Sequence, residues 1–342
     1  MEKSFPIRSA SGFTLIELLV TIAVSGIVLA GLVQIFWTAN RSYTHQDEMA
    51  TLQQNLRVAK MNLERDIRMA GCGFGSNFFY LGAQIFPLVN TNGGASGPDS
   101  LVITYVDYDD PCNGALPQLT PTAITFSAPP TITVAENLSN TATPPSPPYS
   151  SWTTAGVSCR AAPFFAVYSR VVNPSTPTNT TADVFSVSSI TGTNTLQCPG
   201  LRAGISTTIP LNSSINFFSA TQLVTVTYSL DSASRTLMRN QQPANITGTI
   251  AEEVEDFQLA FGLDTNANGT VDAWINSADL NNTQMLQVRQ VRVSILGRSN
   301  NQLPGQTPNP RPLIEDHAAG TVSERYLREL LQFEIKPRNL RG

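Results

Sequence analysis

A run of 25 residues, 13–37, carries one charge and no proline, and it constrains the fold more than any other part of the sequence. As an α-helix this run would be roughly 37 Å long, enough to cross a hydrocarbon core of about 30 Å. The single charge is Glu17, and a carboxylate inside such a core costs about 2.5–3.5 kcal/mol near the centre. The sequence therefore predicts a membrane-spanning helix in which Glu17 has a partner.

Residues 1–12, ahead of this run, are short and polar. They contain Lys3, Arg8 and Glu2, and they end at Gly12. A secretory signal is cut after its apolar region, whereas the small residue here stands before it, so the apolar run would be retained. The basic residues predict a cytoplasmic N-terminus and an exported remainder. An ordinary signal anchor that tolerates one acid is the alternative.

The sequence GFTLIE at residues 12–17 resembles the processing motif of type IV prepilins and pseudopilins. The resemblance implies that a prepilin peptidase cuts between Gly12 and Phe13 and methylates Phe13, the new N-terminal residue. It also implies that Glu17 meets the N-terminal amine of a neighbouring subunit. Residues 1–12 would then be a leader peptide.

A periodic apolar pattern continues beyond the membrane-spanning half of the helix, 13–37. In residues 38–71 apolar side chains recur at intervals of three and four, and charged side chains occupy the other faces. The apolar stripe consists of Met49, Leu52, Leu56, Ala59, Leu63, Ile67 and Ala70. No proline interrupts 13–70, and Gly71 supplies a stop. One nearly continuous helix is predicted, whose second half packs against the rest of the protein.

Residues 72–342 have the composition of an exported, β-rich head domain. Charged residues make up 13% of the chain and its net charge is −4, which excludes the basic footprint of nucleic-acid binding. Segments rich in β-branched and aromatic residues alternate with turn clusters and predict strands. The main ones are 101–106, 123–126, 164–172, 183–190, 223–230, 235–239, 254–262 and 286–296, followed by a helix at 323–331 and a strand at 331–335.

The predicted fold class is α+β and type IV pilin-like. A long N-terminal helix would pack on an antiparallel sheet in a head with long loops. The Pro-rich stretch 144–148 and the segment 297–320 are predicted loops, because proline cannot donate to a strand ladder and turn-forming residues are frequent in both.

All four cysteines, Cys72, Cys112, Cys159 and Cys198, follow the membrane-spanning run. An even number of cysteines in an exported domain favours two disulfides over four buried thiols. Three connectivities are open, and closure of the shorter loops favours Cys72 with Cys112 and Cys159 with Cys198. No pair has the CxxC spacing of a zinc or redox site.

The loop 264–272 has oxygen-bearing groups at alternate positions and glycine at the sixth. The candidate ligands are Asp264, Asn266, Asn268, the carbonyl of Thr270, and Asp272. This matches the first half of an EF-hand-type calcium loop, since calcium takes oxygen ligands and glycine permits the sharp turn. The twelfth position is Ile275 instead of a bidentate glutamate, so a polar hairpin turn is the alternative.

Segments 254–264 and 288–298, on either side of this loop, resemble the C-terminal part of the PilW family of minor pilins. The resemblance implies a structural protein, without catalytic cofactor, that helps to initiate a type IV pilus and lies near its tip. Its partners would be the prepilin peptidase, the inner membrane, the major pilin, other minor pilins and a tip adhesin. The head would lie in the periplasm before assembly and on the pilus surface afterwards.

Two other functions stay open. Pseudopilins of type II secretion share the N-terminal motif, and a pilus-displayed adhesive module would use residues 76–248, which match no motif. Catalysis has little support, because His45 and His317 are each expected to be solvated residues and no HExxH, GxSxG or P-loop occurs. The acidic residues at 107–110 precede a proline and indicate a turn.

Overall fold

A computed structural model describes residues 14–74, 79–81, 83–107, 118–136, 164–171, 180–199, 201, 208–209, 213–219, 222–276 and 278–340. The leader, the predicted cleavage position between Gly12 and Phe13, and the cysteines Cys112 and Cys159 lie outside these residues.

The first element is one helix, α1, which runs from Leu15 to Met69 without a break. Its length and composition allow it to cross a membrane near the N-terminus. The apolar stripe predicted in its second half is confirmed, because Leu52, Leu56, Ala59, Leu63 and Ile67 are all buried. The helix ends where Gly71 takes a φ of +74°, a left-handed conformation that glycine adopts without strain.

Two antiparallel sheets cover this buried stripe. The first sheet has the order β15 (Ile246–Ala251), β14 (Thr236–Gln242), β13 (Leu223–Asp231), β4 (Ser100–Val106) and β3 (Leu88–Thr91). The second has the order β17 (Ala273–Ile275), β16 (Val254–Leu263), β18 (Val288–Arg298) and β19 (Arg328–Ile335). Side chains of α1 and of both sheets form one continuous hydrophobic core.

Two further sheets enclose a second hydrophobic core. One sheet has the order β2 (Ala83–Ile85), β1 (Phe79–Leu81), β9 (Thr180–Val187), β8 (Phe164–Val171), β12 (Ser214–Ser219) and β5 (Gln118–Leu119). The other has the order β10 (Ser189–Thr191), β11 (Thr195–Gln197), β7 (Thr131–Val134) and β6 (Pro121–Thr125). All pairs in these sheets are antiparallel except β1 with β9.

The predicted fold class, a long helix packed on antiparallel sheet, is confirmed, and one local prediction is wrong. No helix covers 323–331, since β19 begins at Arg328 and pairs with β18 along its whole length. Alternate residues of β19, Phe333 and Ile335, are buried, so the period of two prevails over the helical pattern. The short helices of the head lie elsewhere, at Gly94–Ser96 as a 3-10 turn and at Asn282–Gln287 as α2.

Candidate functional site

The helix start is closed by a reciprocal pair of hydrogen bonds between Thr14 and Glu17. Oε2 of Glu17 accepts from the backbone N–H of Thr14 at 2.9 Å and from its Oγ1 at 2.8 Å, while Thr14 Oγ1 accepts from the Glu17 N–H at 3.4 Å. This capping box satisfies donors that the first helical turn leaves open. The carboxylate thus has a local partner within one chain.

The apolar half of α1, residues 15–37, exposes apolar side chains on every face. Each of its large apolar residues is more than half exposed, namely Leu15, Ile16, Leu18, Leu19, Val20, Ile22, Val24, Ile27, Val28, Leu29, Leu32, Val33, Ile35, Phe36 and Trp37. A helix that is apolar all round is stable only where lipid or other apolar helices surround it. This half of α1 therefore needs lipid or other apolar helices around it.

The other half of α1 is fixed to the head by Asp66, a fully buried carboxylate in the apolar stripe. Its Oδ2 accepts a hydrogen bond of 2.6 Å from the Tyr228 hydroxyl in β13 and one of 2.7 Å from Nε of Arg239 in β14. Arg65 contributes a third contact, 2.9 Å from its Nε to Oδ1. Burial, and then the Asp66 charge, raise the pKa of Tyr228, so the phenol stays protonated and donates.

The spacing of apolar residues that predicted the buried stripe of α1 did not identify Asp66 as a buried residue. The signal was present, because Asp66 follows Leu63 by three positions and so lies on the apolar face of α1. An acid at such a position requires a buried donor, and both donors lie more than 160 positions later in the chain.

Ion pairs hold the segment between β18 and β19, residues 299–327, against the second sheet. The Glu315 carboxylate accepts two hydrogen bonds from Arg292, one from Nε at 2.8 Å and one from Nη2 at 2.9 Å. Burial opposes ionisation of Glu315, but Arg292 outweighs it and the pKa of Glu315 is lowered. Oδ2 of Asp256 accepts a hydrogen bond from Nη1 of Arg311 at 2.9 Å and lies 2.8 Å from Nδ1 of His317. The mostly buried His317 is therefore a structural partner of Asp256, not the solvated residue expected from the sequence.

A second buried carboxylate, Asp99, supports the same region. Its two oxygens accept from the backbone N–H groups of Gly93 at 2.9 Å and Leu259 at 2.7 Å. Burial raises the pKa of Asp99 to about 7, and the charges of Asp316 and Asp256 act in the same direction.

The loop proposed for calcium folds as a compact turn between β16 and β17. Oδ1 of Asp264 accepts from the Asn268 N–H at 3.0 Å, and Oδ2 accepts from the Gly269 N–H at 2.9 Å. Asp272 closes the turn by accepting from the N–H groups of Thr265 and Asn266. Gly269 has a φ of +83°, which explains the glycine at this position.

Arg289, from the start of β18, adds a cation to this loop. Its Nε lies 3.2 Å from Oδ2 of Asp264, and both side chains are almost fully buried. Burial opposes ionisation of Asp264, but the backbone donors and Arg289 outweigh it and lower its pKa. Among the described residues, no three His, Cys, Asp or Glu side chains come together as a metal site. Calcium coordination through the amide and carbonyl oxygens stays a prediction.

The two described cysteines lie in different environments and are not bonded to each other. Cys72 is partly buried just after α1, and Cys198 is buried in the second core. Burial raises the pKa of Cys72, helped by the charge of Asp107, and raises that of Cys198 to about 12. The predicted pairs each need a residue outside the described ranges, so the disulfides stay predictions.

Comparison with known proteins gives two family matches at opposite ends of the chain. Residues 222–339 match the family described as Type IV Pilus-assembly protein W, and residues 7–33 match the prokaryotic N-terminal methylation motif. The first match covers the strands from β13 to β19, including Tyr228 and Arg239, and the second covers Gly12, Phe13 and Glu17. A search of curated proteins finds no match.

Among solved structures, a type IV-like pilin from Thermus thermophilus is similar. It shares 10% sequence identity over 85% of this chain and 98% of its own, with a TM-score of 0.39. At this level of similarity the fold assignment depends on the helix and sheets described above. The two family matches confirm, over residues 7–33 and 222–339, that this chain is related to the type IV pilus minor pilins of the PilW family.

Proposed function

We propose that this chain is a minor pilin that a prepilin peptidase cleaves after Gly12, and that helps to start a type IV pilus and stays near its tip. The role is structural and uses no catalytic cofactor. The methylation motif and the PilW match support the pilus-associated part of this proposal.

The observation that carries it is the division of α1 into two surfaces. Residues 15–37 expose apolar side chains all round, whereas the apolar stripe from Leu52 to Ala70 is buried against the head and Asp66 is bonded to both β13 and β14. The head is therefore rigidly attached to one half of the helix, and the other half is left for lipid and then for the helices of other pilins. Such a division suits a subunit that moves from a bilayer into a filament.

Glu17 sets the offset between the helices of neighbouring subunits during this transfer. In the single chain its carboxylate accepts from Thr14, a neutral partner. A cationic amine on a neighbouring subunit would form a stronger, charge-assisted bond in the apolar surroundings. Exchange of the Thr14 contact for the neighbour's amine would therefore favour assembly at one defined helix offset.

The head is the part of the protein that contacts its partners outside the membrane. With the N-terminus in the cytoplasm, the head lies in the periplasm before assembly and on the pilus afterwards, in contact with other minor pilins, the major pilin and a tip adhesin. A head of this size has a radius of gyration of roughly 18 Å. That is bulky for a closely repeated shaft subunit, and few copies near the tip are expected.

The test is a deletion strain complemented with wild type, Glu17→Ala or Glu64→Ala. Glu64 is the matched control, because it lies on the same helix outside the span and makes only a surface pair of 3.9 Å with Lys60. Surface pili should be lost in the deletion and with Glu17→Ala, and restored by wild type and by Glu64→Ala. The mature protein should begin at Phe13 by N-terminal sequencing.

Other outcomes distinguish the alternatives. If the deletion leaves pili normal and blocks protein secretion, the chain is a pseudopilin of a secretion system. If pili and secretion are both intact and only attachment to surfaces fails, it is an adhesive module.

A further inference from the structure

A cavity of about 600 Å³ lies between α1 and the start of the segment 299–327. On the helix side it is lined by Trp37, Arg41 and His45, and on the head side by the turn from Leu303 to Gln306. The described residues that line it include no acidic side chain. The cavity therefore combines an aromatic ring, a guanidinium and an imidazole without a compensating carboxylate.

Arg41 is positioned in this cavity by the turn. Its Nε donates to the Pro304 carbonyl at 3.0 Å, and no described residue accepts a hydrogen bond from the two terminal nitrogens of the guanidinium. A Cβ on residue 305 would overlap the guanidinium, and Gly305 also has a φ of +84°. Glycine at 305 thus gives Arg41 the room to lie against the backbone of the turn.

The cavity lies at the end of the apolar span. Trp37 is its last residue, and Arg41 is one helical turn further, about 6 Å along the axis. Tryptophan favours the boundary between acyl chains and headgroups, and an arginine just outside this boundary is at the depth of the lipid phosphates. Trp37 is 67% exposed, so the described residues leave most of it uncovered.

We propose that this cavity binds the phosphate headgroup of an anionic phospholipid, with Arg41 as the ligand and Trp37 against the glycerol and upper acyl chain. The site is additional to the assembly function but rests on α1 spanning the membrane. It holds the turn at 303–306, and with it the head, against the bilayer until the helix is withdrawn into a filament.

The test is native mass spectrometry of the full chain released from detergent micelles that contain phosphatidylglycerol or phosphatidylcholine, or inorganic phosphate alone. The wild type should retain phosphatidylglycerol in preference to phosphatidylcholine and should not retain inorganic phosphate. Arg41→Gln should lower that preference about five-fold, and Arg41→Lys should keep most of it. Arg57→Gln, an exposed charge loss on the same helix beyond the cavity, should leave it unchanged.

Equal retention by Arg41→Gln and the wild type would overturn the proposal, as would an equal loss in Arg57→Gln or equal binding of the two lipids. Retention of inorganic phosphate would assign the site to a free anion instead. A protein dimer without lipid would assign the surface to a second copy of the chain. Thermal unfolding of each variant, which should match the wild type, separates loss of binding from loss of the fold. These results do not depend on pilus assembly, so they leave the proposed function to its own test.

Discussion

The hydroxyl of Tyr228 donates a 2.6 Å hydrogen bond to Oδ2 of Asp66, and both side chains are fully buried. The apolar contacts between the stripe around Asp66 and the sheet are non-directional, and similar contacts recur at each turn of the helix. A hydrogen bond forms at only one offset. This pair therefore fixes the position of α1 along and around its axis relative to the first sheet.

Two substitutions that remove this contact should destabilise the protein to different extents. Tyr228→Phe should lower the free energy of unfolding by about 1.5–3 kcal/mol, because a charged acceptor loses a donor. Asp66→Ala should cost about 3–5 kcal/mol, because it leaves both Tyr228 and the mostly buried Arg239 without their acceptor. Chemical denaturation of the full chain in detergent, followed by near-ultraviolet circular dichroism, measures both.

Arg65→Ala is the matched control. Arg65 also contacts Asp66, but its side chain is 61% exposed, so its loss should cost less than about 1 kcal/mol. If Asp66→Ala cost no more than Arg65→Ala, Asp66 would not hold the helix to the sheet.

Asp99 should make stability depend on pH. Because its pKa is raised from 3.8 to about 7, the folded state holds this proton more tightly than the unfolded chain does. That stabilisation is complete below pH 3.8 and is lost as the pH rises through 7. The free energy of unfolding of wild type relative to Asp99→Asn should therefore fall by about 1–3 kcal/mol between pH 4 and pH 7.5.

Asp231→Asn serves as the comparison for this measurement. Asp231 is an exposed turn residue whose pKa is lowered, chiefly by the Ser234 hydroxyl. Its stabilisation is present above pH 3.8 and is lost only as the pH falls below it, so the difference between wild type and this variant should stay flat from pH 5 to pH 7.5. A flat profile for Asp99→Asn as well would contradict the prediction for Asp99.

Calcium should stabilise the loop 264–272 if its oxygens coordinate the ion. At 100 times the Kd, the melting temperature of the full chain should rise by roughly 5 °C. Asp272→Asn should abolish the rise, and Asp231→Asn, in the hairpin turn between β13 and β14, should retain it. Asp264 is a poorer choice for substitution, because its loss would also leave the buried Arg289 unpaired. An unchanged melting temperature in the wild type would leave only the turn held by Arg289.

The cysteines should form two disulfides in the exported protein. Peptide mapping by mass spectrometry without reduction should show Cys72 joined to Cys112 and Cys159 joined to Cys198, each worth about 3–4 kcal/mol in the chain-entropy model. Alkylation has to be done on unfolded protein, because Cys198 is buried and its pKa is about 12. Complete alkylation of unreduced, unfolded protein would contradict both bonds, and Cys72 joined to Cys159 would contradict the pairing.

The sequence by itself determined the features that depend on near neighbours in the chain. The length of the apolar run and the spacing of Leu52, Leu56 and Leu63 repeat every turn, so they predict the helix and the face that it buries. Enrichment in β-branched and aromatic residues located every described strand of seven residues or more and missed most of the shorter ones. At 323–331 the local pattern wrongly predicted a helix, because the strand there depends on the pairing of β19 with the distant β18.

Only the tertiary structure decided the polar contacts that position these elements. Asp66 and Tyr228 are 162 positions apart, and Asp99 and Leu259 are 160 apart. Arg289 reaches Asp264 only because β16 and β18 are adjacent in the second sheet. Hydrogen bonds and ion pairs of this kind need two groups within about 3 Å in a defined orientation. Residue spacing along a chain carries no information on that distance, whereas apolar burial needs only the right face.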